Sequence, residues 1–439
     1  MTTIRRRYLV LHGLRWLPSG LLIPVIVLLM LERGIGLSQI GLIFAIQGFV
    51  VLGLELPTGG LADALGRKPV LVAAAAFSLA SLATFAFAQS VWMFAVALLL
   101  QGVYRALESG PLDAWYVDAA LAADPKADLE GGLSAAGVVT GVSIATGALI
   151  AGGLVALGPM WGVSALTVPV LVAVALSAVD LVALAWLLVE DRPGRGARAV
   201  LESVRAVPGT IGSALGLVRR SRIVLALICV EIFWGFGMVT FETLLPVRLS
   251  DVVGNPDTAA ALLGPASSAA WLASAGGAAL APVVARRIGV PLTAGLLRIL
   301  QGATIVAMGL LAGPVGVLTA FLVCYIIHGA SNPLHMALLH RQVDGPYRTT
   351  VVSLNSMMSQ PAAAIGAIAL TALATATSVS TAMIVGAVVL ALAAPLYIPA
   401  WKTPMPADEV EPTAQGPDIP GQASSSVVRA TEPANPNPR

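Results

Sequence analysis

The sequence reads Glu55-Leu56-Pro57-Thr58-Gly59-Gly60-Leu61-Ala62-Asp63-Ala64-Leu65-Gly66-Arg67-Lys68-Pro69 between two long apolar runs. Gly59 permits two helices to approach closely, and Gly66 permits a tight turn, because glycine adopts backbone angles that other residues avoid. Asp63 is suited to lie at the positive N-terminal end of a neighbouring helix. Arg67 and Lys68 favour the cytoplasmic side of a membrane. The stretch therefore predicts a short loop between two membrane-spanning helices.

The composition of the whole chain also indicates a membrane protein. Of 439 residues, 57% are hydrophobic and only 11% are charged, and the mean hydropathy is +0.88. Soluble domains contain about 25% charged residues, and a soluble chain could not bury this much apolar surface. No Gly-rich loop ends in lysine, so the sequence lacks an ATP-binding motif of its own. Cys229 and Cys324 lie in apolar runs, which predicts neither a disulfide framework nor a metal site.

Twelve apolar runs are long enough to cross a bilayer, which takes about 20 residues of helix. We number them spans 1–12 in chain order, and they are predicted at 8–31, 38–62, 69–90, 92–118, 132–157, 162–189, 223–249, 258–284, 291–311, 314–339, 349–374 and 377–400. Span 1 contains Arg15 and is too long for a cleaved signal peptide.

The basic residues define the orientation of these spans. In a twelve-span arrangement, 18 Lys and Arg residues lie on one side, and only Arg33 and Arg248 lie on the other. Basic residues remain in the cytoplasm, so both termini are predicted to be cytoplasmic in a multi-pass protein of the cell (plasma) membrane. A missed or extra span would destroy this separation, which supports the even number.

The chain contains an internal repeat of six spans. At an offset of 222, Leu22-Ile23-Pro24-Val25 matches Leu244-Leu245-Pro246-Val247, and Ser109-Gly110-Pro111-Leu112-Asp113 matches Ser331-Asn332-Pro333-Leu334-His335. Near the same offset, Gly66 matches Gly289. We expect an all-α membrane protein with an N-terminal six-helix bundle (1–189), a cytoplasmic linker (190–222), a C-terminal six-helix bundle (223–401) and a disordered cytoplasmic tail (402–439). Parallel repeats of this kind place a transport site between the halves at mid-membrane.

The loop after span 2 resembles the signature loop of the major facilitator superfamily, in which the pattern G-x-L-a-D-r-x-G-r-k joins the second and third helices. The positions that agree are Gly59, Leu61, Ala62, Asp63, Gly66, Arg67 and Lys68. Ala64 departs from the pattern, because a basic residue is common there. The resemblance extends over about residues 5–400 and implies that family's twelve-helix transporter fold, with a drug-efflux-like function.

The resemblance implies that the signature loop acts in gating. We expect Arg67 to bridge Asp63 and Asp118, while Asp63 faces the start of span 11 near Thr349–Ser353. These contacts would hold the outward-open state and break as the two halves rock.

Charged side chains within the spans are candidates for proton coupling. Each costs about 2.5–3.5 kcal/mol at mid-bilayer, so it requires a partner or a cavity. Arg15, Glu55 and Asp113 share one layer when depth is counted along ideal helices, and we expect both acids to compete for Arg15. Asp113 is the preferred titrating group, because span 4 lines the cavity in similar transporters. A buried ion pair that only fixes the helix packing is the alternative.

Further candidates for coupling lie deeper in the membrane. Arg105 and Glu108 are three residues apart on one face of span 4, and similar families place an arginine with a role in proton coupling on this helix. A local pair that neutralises itself is the alternative. Asp180 and Glu231 are isolated acids near mid-membrane that either exchange a proton or make structural hydrogen bonds.

Candidates for the substrate cavity are aromatic residues on spans 1, 4 and 7, which line the cavity in similar transporters, together with a histidine on span 10. They are Trp16, Trp115, Tyr116, Trp234, Phe241 and His328. Packing is the alternative role for each. Few amides occur on these spans, which favours an amphiphilic substrate over a sugar. The intervals between His328, His335 and His340 do not match paired zinc ligands, so we expect no metal site.

These patterns together predict a proton-coupled secondary transporter, an antiporter that exports small amphiphilic drugs or metabolites. We expect a monomer in the lipid bilayer whose partners are a small-molecule substrate and protons, with no cofactor and no nucleic acid. A proton-coupled symporter for nutrient uptake is the first alternative. A polytopic membrane enzyme or a non-transporting sensor is the second, and the lack of a nucleophile–base or metal motif argues against the enzyme.

The predicted topology is testable with two reporter fusions. A reporter fused after Lys402 should report a cytoplasmic location, and a reporter inserted in the 250–257 loop should report the opposite side. If both fusions report the same side, the number of spans is wrong.

Overall fold

The computed structural model describes residues 2–59, 61–160, 162–190, 209, 212, 216, 221–342 and 348–402. Within these ranges every regular element is a helix. Eleven helices are long and apolar enough to cross a membrane, and one bent pair at the N-terminus forms a twelfth span. The predicted all-α, twelve-span fold is thereby confirmed. Most of the predicted linker and all of the chain after Lys402 lie outside the described residues.

The helices agree with the predicted spans to within a few residues. The N-terminal half, spans 1–6, comprises Thr2–Leu22 with Ile26–Glu32, Leu37–Gly59 with Leu61–Leu65, Arg67–Phe87, Val91–Glu108 with Pro111–Ala123, Leu129–Ala156, and Thr167–Leu187. The C-terminal half, spans 7–12, comprises Arg222–Val239 with Thr240–Leu244 and Leu245–Val253, Pro256–Ile288, Val290–Leu310, Pro314–Arg341, Arg348–Ala376, and Val379–Ala391 with Ala394–Tyr397 and Ile398–Lys402. The largest difference is at span 1, which begins at Thr2 instead of residue 8.

The repeated Leu-x-Pro-Val motif interrupts the first helix of each half. Span 1 bends by 42° around Pro24, whereas span 7 widens into a π-helical turn at Thr240–Leu244, directly before Pro246. Proline has no backbone N–H, and its ring clashes with the carbonyl four residues earlier. A bend and a π-turn are two ways to relieve this conflict.

Span 4 is broken where its counterpart is continuous. The first helix of span 4 ends before Ser109, and Gly110 then adopts a φ of 93°. Pro111 begins the next helix, where its fixed φ is favourable. Span 10 instead runs as one helix through Asn332 and Pro333. Positions after the break in span 4 therefore cannot be located by counting along an ideal helix.

The two ends of the helical structure are packed differently. We call the end that carries Arg5, Arg67 and Lys402 the basic end, and the opposite end the distal end. At the distal end one hydrophobic core contains residues of both halves, such as Met30 and Phe321. At the basic end the described residues form two separate cores, one within each half. The halves are therefore joined at the distal end and separated at the basic end.

Glycines make the contact between the halves at the distal end. Span 5 packs against span 8, and a Cβ atom on Gly152 would lie 2.8 Å from the Cα atom of Gly264. Span 2 packs against span 11, where a Cβ atom on Gly48 would lie 3.3 Å from the carbonyl oxygen of Gln360. Small residues allow helix backbones to approach in this way within membranes.

The same four spans diverge toward the basic end. Cβ atoms placed on four glycines of these spans would meet no described atom within 4 Å: Gly53 on span 2, Gly137 and Gly141 on span 5, and Gly276 on span 8. Other glycines of this region, such as Gly132 and Gly277, contact their own half, at Tyr116 and Ile326. The open positions agree with the two separate cores.

The two basic residues of the distal end each bind the end of a helix. Arg33 donates to the carbonyl oxygens of Ala86 and Ala88, at 2.9 and 2.5 Å, and also to Thr167. Arg248 donates to the carbonyl oxygen of Leu311 at 3.0 Å. A cation is favourable at the C-terminal end of a helix, which carries partial negative charge. These contacts account for the two exceptions to the charge asymmetry.

Gly152→Ala should weaken the distal contact, because overpacking costs about 1–3 kcal/mol. The population should shift toward a state in which the distal end opens. Spin labels at Leu157 and Asp257 would measure this shift as a longer distance. Gly153→Ala is the matched control, because a Cβ atom at Gly153 would meet no described atom within 4 Å. Equal distance changes in the two variants would contradict the role of Gly152.

Candidate functional site

A buried polar cluster lies inside the N-terminal half. Arg15 of span 1 forms an ion pair with Glu108 of span 4. Asp180 of span 6 is 6% exposed and interacts electrostatically with Arg15, as does Tyr104. These side chains line a cavity of about 10 Å³, which has room for about one water molecule. One arginine thus faces two buried carboxyl groups.

Among the described residues Arg15 forms its ion pair with Glu108, not with the predicted Glu55 or Asp113. Asp113 remains in the same region, because Tyr8 and His12 interact electrostatically with both Arg15 and Asp113. Asp113 is exposed and accepts a hydrogen bond from the Tyr8 hydroxyl at 2.7 Å. Glu55 interacts electrostatically with Arg105 instead. The break at Ser109 and Gly110 explains the difference for Asp113, because its depth along an uninterrupted helix differs from its depth in the broken span.

Charged residues of the two halves influence one another across the space between the halves. Arg105 of span 4 and Glu242 of span 7 are both exposed, and they interact electrostatically with each other. Arg105 also interacts with Glu55 of span 2. Glu55 follows Gly41 and Gly48 at intervals of seven residues, so it shares their helix face. This face contacts the other half at the glycines, and Glu55 lies beyond them in the separated region.

Glu242 was missed in the sequence analysis. It lies on the π-helical turn of span 7, and it is the residue four positions before Pro246, whose ring disfavours the normal helical hydrogen bond to its carbonyl. An acid at this position of an apolar span was the available signal. π-Turns are frequent at functional sites.

Aromatic side chains of spans 7 and 10 form a cluster in the C-terminal half. Trp234 and His328 stack with ring centres 5.7 Å apart. Phe241 and Tyr325 make an edge contact at 5.8 Å, and Tyr325 lies 5.8 Å from His328. Tyr325 interacts electrostatically with Glu242. Three predicted cavity residues, Trp234, Phe241 and His328, are thus brought together.

The predicted cavity residues of span 4 are in the core instead. Trp115 and Tyr116 are 5% and 1% exposed. Trp115 donates from Nε1 to the carbonyl oxygen of Val189 at 2.9 Å, and Tyr116 stacks on Tyr8 at 4.3 Å. The packing alternative is therefore correct for this pair. Trp16 is half-buried beside Arg15, and its Nε1 atom has no hydrogen-bond partner among the described residues.

A second polar cluster lies inside the C-terminal half. His335 is fully buried, and its Nε2 atom lies 3.3 Å from Glu231 and 3.1 Å from Asn355. Its Nδ1 atom lies 3.0 Å from the Tyr397 hydroxyl. Arg298, also buried, donates to Gln301 at 3.2 Å and interacts electrostatically with Glu231.

The two halves share one contact of this kind at equivalent positions. Tyr8 contacts Asp113 between spans 1 and 4, and Glu231 contacts His335 between spans 7 and 10. The positions differ by 223 and 222 residues, which is the offset of the sequence repeat. The repeat therefore extends to polar contacts within each half.

The signature loop is held by an acid at the end of span 6. Gly66 has a φ of 93°, and the backbone N–H groups of Arg67 and Lys68 donate to the two carboxylate oxygens of Glu190 at 2.8 and 2.9 Å. The Arg67 side chain lies 2.7 Å from Asp118 and donates to the carbonyl oxygen of Ala114 at 2.6 Å. Glu190 caps the N-terminus of span 3, where a negative charge is favourable.

The family follows from comparison with known proteins. The family model described as Major Facilitator Superfamily matches residues 9–367. The chain belongs to the Major Facilitator Superfamily. A curated relative, "Uncharacterized MFS-type transporter YxaM" of Bacillus subtilis (strain 168), is 29% identical over 103 residues, which are 24% of this chain and 26% of that protein. The chain therefore matches about a quarter of that relative's length.

Solved structures of superfamily transporters share the fold. The nucleoside transporter NupG aligns with a TM-score of 0.73 at 13% identity, over 91% of this chain and 100% of NupG. A bacterial homologue of the human lysosomal transporter Spinster, in an inward-facing and unoccupied conformation, aligns with a TM-score of 0.73 at 14% identity, over 91% of this chain and 96% of that one. This superfamily member is thus a multi-pass membrane protein with the fold of these solved transporters.

The signature contact of this superfamily member lies within one half. Arg67 and Asp118 belong to the connections around spans 3 and 4, so their pairing does not itself join the two halves. The pair is formed although the halves are separated at the basic end, whereas the sequence predicted that it breaks as the halves rock. The side chains of Asp63 and of Thr349 and Ser353 lie outside the described residues. The expected contact of Asp63 with span 11 therefore remains a prediction.

Glu190→Gln should destabilise the signature loop. Glutamine offers one acceptor oxygen to two N–H donors and lacks the charge, so we expect a loss of about 1–2 kcal/mol. A thiol-reactive dye that detects the exposure of buried Cys324 on heating would measure a lower unfolding temperature. Glu130→Gln, an exposed acid in the first turn of span 5, is the control. Equal unfolding temperatures for the two variants would contradict the capping role.

Proposed function

We propose that this transporter couples proton entry to the export of small amphiphilic organic molecules across the plasma membrane. The observation that carries the proposal is the buried cluster in which Arg15 faces both Glu108 and Asp180. One arginine balances one carboxylate. A second buried carboxyl group without a counter-charge is stable when it carries a proton.

The basic end faces the cytoplasm in this proposal, because basic residues are retained there. The separation of the halves at the basic end then corresponds to an inward-open state. The protein acts as a monomer. Its two six-helix bundles, 1–189 and 223–401, move relative to each other about the distal contact. The linker 190–222 and the tail from 402 lie in the cytoplasm, and the Arg67–Asp118 pair holds the signature loop during gating.

Proton exchange at Asp180 and Glu108 changes the charge balance of the N-terminal half. When one acid is protonated, Arg15 is fully paired with the other. When that proton leaves, two carboxylates share one guanidinium group, and the arrangement of spans 1, 4 and 6 is stressed electrostatically. The protonated and deprotonated forms therefore favour different arrangements of these spans. Antiport requires that the substrate binds to one of these forms and the proton to the other.

The aromatic surface of spans 7 and 10 supports an amphiphilic substrate. Trp234 and His328 are partly exposed, and Phe241 lies behind them. Solved relatives include a nucleoside transporter and a proton-dependent oligopeptide transporter, so the superfamily fold is compatible with several substrate classes. The mostly apolar and aromatic composition of this surface favours drug-like molecules or metabolites.

Transport into inverted membrane vesicles tests the proposal. A panel of fluorescent amphiphilic dyes should accumulate in vesicles only when a proton gradient, acidic inside, is imposed. Accumulation independent of the gradient would contradict proton coupling. Gradient-driven loss of dye from the vesicles would instead support uptake by symport.

Asp180→Asn should abolish the gradient dependence while dye exchange without a gradient persists, because a neutral amide cannot release a proton. Asp113→Asn is the matched comparison. Its carboxylate accepts a hydrogen bond from Tyr8 and does not line the cavity that Arg15 shares with Glu108 and Asp180, so proton dependence should remain. The reverse result would return the coupling role to Asp113, as the sequence alone suggested. Glu108→Gln should resemble Asp180→Asn.

A further inference from the structure

We infer that the space between the halves binds an organic cation, with its charge beside Glu242 and its apolar body against Trp234 and His328. This inference rests on the proposed export function and specifies the substrate class at that site. It depends on three features of the described residues: the charge balance, the aromatic surface and the π-turn.

The charges that interact in this space do not balance. Arg105 interacts electrostatically with both Glu55 and Glu242, so this set has two carboxylates for one guanidinium group. The result is one surplus negative charge on this set, which attracts a cation. A bound monovalent cation would neutralise the set.

The aromatic surface locates the cation at Glu242. Tyr325 interacts with Glu242 and contacts both Phe241 and His328 with ring centres 5.8 Å apart. Trp234 stacks on His328 and extends this surface. Ring faces attract cations, and the attraction increases when water is excluded. Glu55 lies on span 2, in the other half.

The π-turn explains how an acid can occupy this position. Thr240, Phe241, Thr243 and Leu244 are buried, while Glu242 on the same turn is exposed. The widened turn therefore directs one carboxylate into the space while its neighbours pack in the core. Pro246 disfavours the regular helical hydrogen bond to the carbonyl of Glu242. The π-turn is therefore a consequence of the sequence and needs no ligand.

A pair of ions with matched shape tests the inference. Tetraphenylphosphonium and tetraphenylborate have similar size and opposite charge. Equilibrium dialysis of the purified full-length protein, against protein-free micelles, should show that the phosphonium binds about tenfold more tightly than the borate. This comparison needs no variant. Equal binding, or preference for the borate, would overturn the inference.

Variants assign the preference to the named residues. Glu242→Gln should remove the discrimination between the two ions, and Glu242→Asp should retain most of it. Trp234→Leu should weaken phosphonium binding, whereas Trp186→Leu, at a tryptophan that is 82% exposed on span 6, should not. If folded Glu242→Gln protein, checked by gel filtration, still discriminates between the ions, the inference fails.

The outcomes separate the inference from the proposed function. Dialysis uses no gradient and no transport, so an absence of gradient-driven dye accumulation overturns the proposed function without changing the binding comparison. Loss of the predicted ion preference overturns the cation site even when the vesicles transport neutral dyes.

Discussion

Arg15 and Glu108 form an ion pair between spans 1 and 4, in a protein whose membrane-spanning helices contain few charged residues. An unpaired charge in hydrocarbon is so unfavourable that such residues face partners or cavities. The same constraint accounts for Arg298 with Gln301 and Glu231 in the C-terminal half. It also explains why Arg105, Glu55 and Glu242 surround the space between the halves. The charged residues thus fall into two groups. One group is paired inside each half, and the other surrounds the space between the halves.

The sequence repeat is preserved in structure where it fixes backbone geometry. Gly66 and Gly289 both have positive φ, at 93° and 87°, between the second and third helices of their halves. The two halves differ in the backbone of their fourth helices. Span 4 is broken at Gly110, whereas span 10 is continuous. Glycine can adopt the left-handed angle that this break needs, and Asn332 remains helical at the corresponding position.

Span number and type, the repeat and the superfamily could be predicted from the sequence, because each depends on long apolar runs or on a fixed motif. The Arg67–Asp118 contact was also predictable, since both residues lie close to loop ends. Side-chain partners in the interior were not. The break at Gly110 and the helix packing decide whether Asp113 meets Arg15 or Tyr8, and a linear depth count contains neither. Glu190 was missed because it caps a helix whose first residue, Arg67, is 123 residues away in sequence. The sequence alone does not show that the two positions are neighbours in space.

The contact between Gly152 and Gly264 has a kinetic consequence. Where backbone meets backbone, no long side chains interlock, so few rotamers must rearrange when the helices part. Parting this glycine contact costs mainly dispersion energy. The larger cost of opening the distal end lies in the core that both halves share there, with side chains such as Met30 and Phe321. A seam of small residues lets the halves exchange neighbours quickly, which suits a protein that must alternate between two shapes in every cycle.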